Sequence, residues 1–262
     1  MAFDPVVSLR IINNERLRRA QGWAEHRDLG GAIAVTSDAP LGDLNCIEAF
    51  STTDAKLEGL LDIGFALLRA FDRDPAARIT ALDRPKSLAK RLERRGLRAT
   101  TVSNAMVFRG DAAAVPSNPN VDVRRADPDD ASAFVRINAG DHKWVKRLLT
   151  TATMEAMNDP ANFFYLAYVD GEPVATTQML IDGSTAGIYA VATLRAHRQQ
   201  GIATTLLARA LRDASDANCD VIGLRTIANS DAERLYTRYG FEPAHETRLY
   251  ETPTPSAYEP RT

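Results

Sequence analysis

The sequence predicts a mixed α/β protein built around a mixed sheet. Three observations predict it. Segments with apolar residues at helical spacing alternate along the chain with short strand-like runs. Two tight-turn pairs, Asp170-Gly171 and Asp182-Gly183, separate consecutive strand-like runs and mark antiparallel hairpins. The element pattern of the second half reappears in the first when the chain is slid against itself by 144 positions.

Taken in order, residues 1–29 read as an amphipathic helical lead-in, carrying SLRIINNERLRRAQGW. Ala32 to Thr36 and Asn45 to Phe50 read as paired strands, Leu57 to Phe71 as a helix and Arg78 to Ala81 as a short strand. Pro85 to Arg95 reads as a helix and Ala99 to Phe108 as a strand. Asp111 to Asn120 (DAAAVPSNPN) is small, polar and contains two prolines, which is linker composition. Beyond it Val121 to Val123 suits a short strand, and Asp127 to Asn138 and Lys143 to Asn158 suit helices. Phe163 to Val169, Val174 to Ile181 and Ala186 to Thr193 form the hairpin strands. Ile202, Leu206, Leu207, Ala210 and Leu211 then recur at helical spacing. Val221 to Ile227 is a strand, Asp231 to Tyr239 a helix and Glu242 to Tyr250 a final strand. The tail from Thr252 is proline-rich. The expected organisation is therefore a domain over 1–110, a linker over 111–120, a domain over 121–252 and a flexible tail over 253–262.

The 262 residues suffice for two small domains with real cores. A net charge of −2 gives no basic field to hold nucleic acid by its phosphates. No apolar run approaches the roughly 18–20 residues of a membrane span, and no secretory leader is visible, so the expected location is cytoplasmic. Cys46 and Cys219 are the only cysteines, without metal-ligand spacing, so no metal is expected. An arginine-bearing first helix (Arg10, Arg16, Arg18, Arg19) reads as a solvated face.

The chemistry concentrates in Ile188 to Leu207, IYAVATLRAHRQQGIATTLL. A strand ends, a polar turn follows and a helix begins near Gly201. Free backbone N–H groups at a helix start bind anions, and the helix dipole favours negative charge there. Gly201 lets the backbone approach a phosphate, Ala203 keeps the first turn narrow, and Arg198 adds a cation suited to a pyrophosphate. About thirty residues on lies Asn229-Ser-Asp-Ala232-Glu-Arg-Leu235-Tyr236-Thr-Arg-Tyr-Gly240-Phe241.

Together these segments resemble the GNAT superfamily of acetyl-CoA-dependent N-acetyltransferases. The first is similar to its pyrophosphate motif, Q/R-x-x-G-x-G/A, and the second to N-x-x-A-x-x-L-Y-x-x-x-G-F. The resemblance covers about Val121 to Glu251 and implies the GNAT acyl-CoA N-acyltransferase fold there, preceded by a degenerate GNAT-like half. Arg195 stands where many members carry proline, and Ala203 replaces the commoner glycine. The resemblance implies acetyl-CoA as acyl donor, a primary amine (small molecule, amino acid or peptide) as acceptor, and direct transfer in a ternary complex. It implies that the Val191 N–H polarises the thioester carbonyl and that Thr193 holds the pantetheine arm. Arg198, Gln199, Gln200, Gly201, Ile202, Ala203 and Thr204 would cradle the pyrophosphate. Asn229 would contact the cofactor or cap its helix, and Tyr236 would protonate the departing thiolate. Asp141, His142 and Trp144 sit in the segment that in this family lines the acceptor site. Tyr165, Gln178 and Tyr189 lie on central strands, whose alternation alone does not fix their face.

Under the 144-residue slide, Arg198 falls on Asp54, Gly201 on Leu57, Asn229 on Pro85 and Tyr236 on Leu92. An anionic Asp54 and a bulky Leu57 exclude a phosphate, so the first half is expected not to bind acetyl-CoA. Other readings are a catalytically silent acetyl-CoA-binding regulator, or an acyltransferase using another acyl-CoA or a hydroxyl acceptor. The expected state is a monomer or homodimer.

Overall fold

The computed structural model describes residues 3–140 and 143–253, without the side chains of 143 and 144. The expected tail thus lies almost wholly outside the described residues. Elements in the first half are α1 (Pro5–Ala20), β1 (Glu25–Asp28), β2 (Ile33–Thr36), β3 (Cys46–Glu48), α2 (Asp54–Ala70), β4 (Ala76–Thr80), α3 (Leu88–Arg94) and β5 (Arg98–Phe108). The second half holds β6 (Asp122–Arg125), α4 (Ala131–Ala139), α5 (Lys143–Met157), β7 (Asn162–Val169), β8 (Glu172–Asp182) and β9 (Thr185–Thr193). It ends with α6 (Ile202–Asp216), β10 (Val221–Ile227), α7 (Asp231–Arg238) and β11 (Phe241–Glu251).

The chain forms two compact units, Met1–Trp23 with Asn104–His245, and Ala24–Ser103 with Glu246–Thr262. In the first unit the strand order is β11-β5-β10-β9-β8-β7-β6. β6 to β9 pair antiparallel in succession, and β9 pairs parallel with β10. Two cores cover opposite faces. Alternate residues Tyr165, Ala167, Ala186 and Ile188 pack with Leu206, Leu207, Ala210 and Leu211 of α6. Phe164 and Leu166 instead pack with Phe134 and Ile137 of α4 and Ala156 of α5. This is the two-residue period of strands buried on both faces. The 111–120 segment packs into this unit: Val115 is buried in the α6 core, and Asn118 hydrogen-bonds to α6 and the loop before it.

Helix α1 belongs to this unit, on the face opposite α6. Val7 and Ile11 join Ala105, Val107 and Val221, and a Cβ on Gly223 would come within 2.8 Å of Ile11. The expectation of a solvated arginine face is corrected here. Arg19 is 4% exposed, and Ser8, Asn14 and Glu15 are buried with it. Arg18 is half-buried against β8 and β9. Arg10 pairs with Asp220 at 2.5 Å and donates to Ser184 and Thr185. Arg16 is half-buried and donates to Asn13 at 3.3 Å. Arg10, Asn14, Glu15 and Arg18 have partners more than a hundred residues away in sequence, so local patterning does not announce them.

In the second unit the order is β1-β2-β3-β4-β11-β5. Strands β1 to β3 pair antiparallel, and β3 pairs parallel with β4. Leu57, Leu61, Phe65 and Leu68 of α2 share one core with Leu88 and Leu92 of α3, Ile47 and Ala77. The succession β1-β2-β3-α2-β4-α3-β5 repeats β7-β8-β9-α6-β10-α7-β11 in type and pairing direction. Strand β1 is absent from the sequence reading, because Glu-His-Arg-Asp carries no apolar residue to reveal it.

Candidate functional site

The site grows from a divergence of two strands. The β9–β10 ladder runs from Thr185↔Val221 to Ile188↔Leu224, yet β9 continues to Thr193 and β10 to Ile227. At the parting point Ala190 has φ +50°, a left-handed conformation unusual for a side-chain-bearing residue. The β8–β9 register shifts between Thr176 and Gln178. This is a β-bulge, and it changes the side-chain parity of the strand. Before it, Ile188 faces the α6 core and Tyr189 faces α1. After it, Val191 faces the α6 core, while Ala190 and Ala192 face α4 and β7. Thr176 Oγ1 donates to the Ala190 carbonyl at 2.9 Å and Thr177 Oγ1 to the Tyr189 carbonyl at 3.2 Å, holding the bulge from β8.

From the end of β9 a turn leads into α6. Arg198, Gln199, Gln200 and Gly201 are exposed. Gln199 and Gly201 are left-handed at φ +62° and +75°. No side chain caps α6 at Gly201, so its first N–H groups are free of side-chain acceptors. A Cβ on Gly201 would meet only Asn118 Cβ, at 3.9 Å. The glycine therefore serves its backbone angle and the space beside it rather than protein packing. Ile202 and Thr204 turn their side chains inward, and Ala203 stays half-buried. Arg198 Nε donates to the Thr193 carbonyl at 3.2 Å, tying the loop to the strand end. Asn118 is a participant missing from the sequence reading. Its Nδ2 donates to the Gln200 carbonyl at 2.9 Å, while its N–H donates to Thr205 Oγ1 at 2.9 Å. An Asn in a stretch of linker composition gives no signal of this.

Tyr236 sits on α7, 7% exposed, with its ring 5.8 Å from that of Phe241. Burial pushes its hydroxyl up to about 12. It therefore stays protonated across the physiological range. Asn229 is exposed and left-handed, at φ +63°. The expectation that it caps α7 is corrected. Ser230 is the N-cap, accepting from the Glu233 N–H at 3.1 Å, and Glu233 accepts from the Asn229 N–H at 2.5 Å. A serine three residues before a glutamate is the usual capping signature, and it outweighs the asparagine beside it.

The central-strand candidates separate by face. Tyr165 points to α6 and donates to Asp213 at 2.7 Å. Gln178, 2% exposed, donates to Asn162 Oδ1 at 2.8 Å and accepts from Arg18 Nε at 3.0 Å. Tyr189 donates to Asn14 Oδ1 at 2.6 Å. Burial raises its hydroxyl well above the ordinary phenol value, so it is no base at neutral pH. Asp141, His142 and the side chain of Trp144 lie outside the described residues. Among the described residues no group of three His, Cys, Asp or Glu is arranged to hold a metal, and no helix is long and apolar enough to cross a membrane.

The corresponding place in the second unit is closed. Beyond Ile47↔Ala77 the strands rejoin at a Ser51↔Arg84 bridge, and the Arg84 N–H donates to the Phe50 carbonyl at 2.9 Å. Asp83 fills the end, accepting from the Phe50 N–H at 2.6 Å and from the Thr80 N–H at 2.5 Å. Asp54 occupies the first turn of α2 and accepts from the Ser87 hydroxyl, and Leu57 is fully buried.

Residues 131–241 match the model of the acetyltransferase (GNAT) family. No curated protein matches the sequence. Among solved structures, a GCN5-related N-acetyltransferase from Kribbella flavida superposes with a TM-score of 0.74 at 20% identity, over 97% of each chain. A GCN5-related N-acetyltransferase from Sphaerobacter thermophilus gives 0.66 at 18% identity, over 95% of this chain and 94% of that one. A tandem GNAT protein from the clavulanic acid biosynthesis pathway gives 0.65 at 13% identity, also over 95% and 94%. At these identities the likeness is one of fold.

Proposed function

Given that residues 131–241 belong to the GNAT family of acetyltransferases, we propose that this chain is an acetyl-CoA-dependent N-acetyltransferase that moves an acetyl group to a primary amine in a ternary complex. The observation that carries the reading is the uncapped start of α6 at Gly201, next to the point where β9 leaves β10. Acyl-CoA carries an anionic pyrophosphate and an extended amide arm. A helix start with free N–H groups suits the first, and an unladdered strand edge suits the second.

Gly201 and the backbone of Ile202 to Thr204 hold the pyrophosphate, with Arg198 adding charge. Tyr189 to Thr193 offer backbone groups to the arm. Acetyl-CoA supplies an activated thioester. The Val191 N–H donates to the carbonyl oxygen that gains negative charge as the amine attacks. The new N–C bond replaces the C–S bond, the attacking nitrogen loses its proton to water, and Tyr236 gives its own proton to the sulfur. Tyr236 is regenerated from solvent. The second unit, with its closed strands and Asp54 at the helix start, completes the fold and takes no cofactor.

Release of free thiol from acetyl-CoA in the presence of a panel of primary amines tests this reading. Acceptor-dependent thiol release, with matching mass gain on the acceptor, is expected. A well-folded protein that binds acetyl-CoA yet releases no thiol with any amine would overturn the enzyme assignment.

A further inference from the structure

On the α1 face of the first unit, one guanidinium has its Nε–H spent on the protein and its Nη1/Nη2 edge open. The Arg18 guanidinium lies over two aromatic rings, 4.5 Å from the Trp23 centroid and 4.8 Å from that of Tyr189. Its Nε is fixed to Gln178 Oε1 at 3.0 Å. Gln178 is held in turn by Asn162, Asn162 donates to Gln21 Oε1 at 3.1 Å, and Gln21 donates to Asp159 at 2.6 Å. The direction of the guanidinium is thus set by its two ring contacts and by a relay along one edge. The Nη1/Nη2 edge has no partner among the described residues, and the side chain is only half-buried.

Among the described residues no carboxylate pairs with Arg18, and the neighbouring Glu15 is bonded to Arg225 at 3.2 Å. Burial lowers Arg18 from the ordinary arginine value to about 10. Tyr189 and Glu15 oppose this, while Arg19 and Arg225 add to it. It remains a cation at neutral pH, in surroundings that reward an anion. A guanidinium serving only as a clamp between α1 and the sheet would spend its outer edge on the protein as well.

The location gives the edge its meaning. Tyr189, whose ring contacts Arg18, directly precedes Ala190 at the bulge, and both lie on the face opposite α6. The open fork therefore lies beside the point where β9 leaves β10, across the sheet from the Val191 side chain. A planar fork with two parallel N–H groups matches a carboxylate bidentately.

We propose that Arg18 recognises the acceptor, binding its carboxylate, so that the acceptor class is a small molecule bearing both an amine and a carboxylate, a free amino acid, rather than a neutral amine or a protein lysine. This rests on the acetyl-transfer reading above, and its test is built to fail separately. Trp23, Gln178 and Tyr189 are positioning residues that aim the fork.

The experiment compares free amino acids with their carboxamides, as matched pairs, in acetyl-CoA-dependent thiol release by the full chain. The wild type is expected to favour the acids by about tenfold or more in kcat/KM, a typical bidentate charge-assisted difference. Arg18→Gln is expected to raise KM for the acids about tenfold or more while kcat, carboxamide kinetics and acetyl-CoA affinity stay within about threefold. Arg18→Lys, which keeps the cation without the fork, should recover part of the loss and serves if Arg18→Gln fails to fold. Equal use of acids and carboxamides by the wild type, or parallel loss on both in either variant, would overturn the proposal. A turnover-independent arm titrates N-acetyl amino acids and their amides as product probes. Carboxylate-selective binding lost in the variants is expected, and its absence overturns the proposal. Selective binding with no thiol release from any amine would defeat the acetyl-transfer reading while leaving Arg18 as a carboxylate site.

Discussion

Replacing Tyr236 by Phe isolates one hydroxyl. The ring keeps its packing against Phe241 and the α6 core, so the fold should lose at most about 1 kcal/mol, the scale of one hydrogen-bonding group. At roughly 2–4 °C per kcal/mol for a chain of this size, Tm should fall by no more than a few degrees. The kinetic effect follows from the environment the hydroxyl reports. Burial raises Tyr236 from 10 to about 12, two units against the charged form. A thiolate released beside it meets the same desolvation, moving from about 8.5 towards roughly 10.5. Leaving as an unprotonated anion then costs about 2.7 kcal/mol more than in water, close to a hundredfold in rate. Tyr236→Phe should therefore cut kcat about a hundredfold, with acetyl-CoA affinity within about twofold. Thiol-release kinetics and calorimetry measure the two quantities. The same burial predicts a pH signature. A phenol whose pKa is raised in the folded state contributes stability that is fully present below pH about 10 and lost as pH rises through about 12. The wild type should lose up to about 2.7 kcal/mol over that window through this group, and the variant should not. Turnover changed less than threefold, or a cofactor affinity that collapses with the hydroxyl, would refute the proton-donor argument.

Two further outcomes test the frame around the site. Gly201→Ala forces a side chain into φ +75° at a cost of about 1–2 kcal/mol. Because only Asn118 lies near its Cβ, the protein should still fold, but acetyl-CoA affinity measured by calorimetry should drop tenfold or more; unchanged affinity would remove this turn from the site. Asp83→Ala strips three acceptor contacts from the buried end of the second unit, to the Phe50 and Thr80 N–H groups and the Thr80 hydroxyl. Chemical denaturation should show a loss of about 2–4 kcal/mol with acetyl-CoA affinity intact; a fall in affinity would contradict a cofactor-free second unit.

Most of the architecture is legible in local patterning, because the strands of the first unit are bounded by Gly turns and α6 is strongly periodic. The 144-residue offset places the 241–251 strand over 97–107, and the observed β5 spans Arg98–Phe108. What is not legible depends on distant partners. Glu25–Asp28 becomes a strand by pairing with β2, without an apolar residue to announce it. Arg18 and Arg19 look like solvent-facing charges until Gln178 and Tyr189, some 160–170 positions on, are brought against α1. Gln178 and Tyr189 were visible as candidates, but their face was not. The bulge at Ala190 shifts the parity within a single strand, which alternation counted along the sequence cannot register.

The proposed function puts a single acyl-CoA site in the first unit, at the start of α6. Calorimetric titration of the purified chain with acetyl-CoA tests it most directly, beside the charge reversals Arg198→Glu and Asp54→Arg. One saturable site per chain is expected, weakened about tenfold or more by Arg198→Glu and unmoved by Asp54→Arg. Two sites per chain, a site sensitive to Asp54 but not to Arg198, or no binding by a well-folded sample would contradict it.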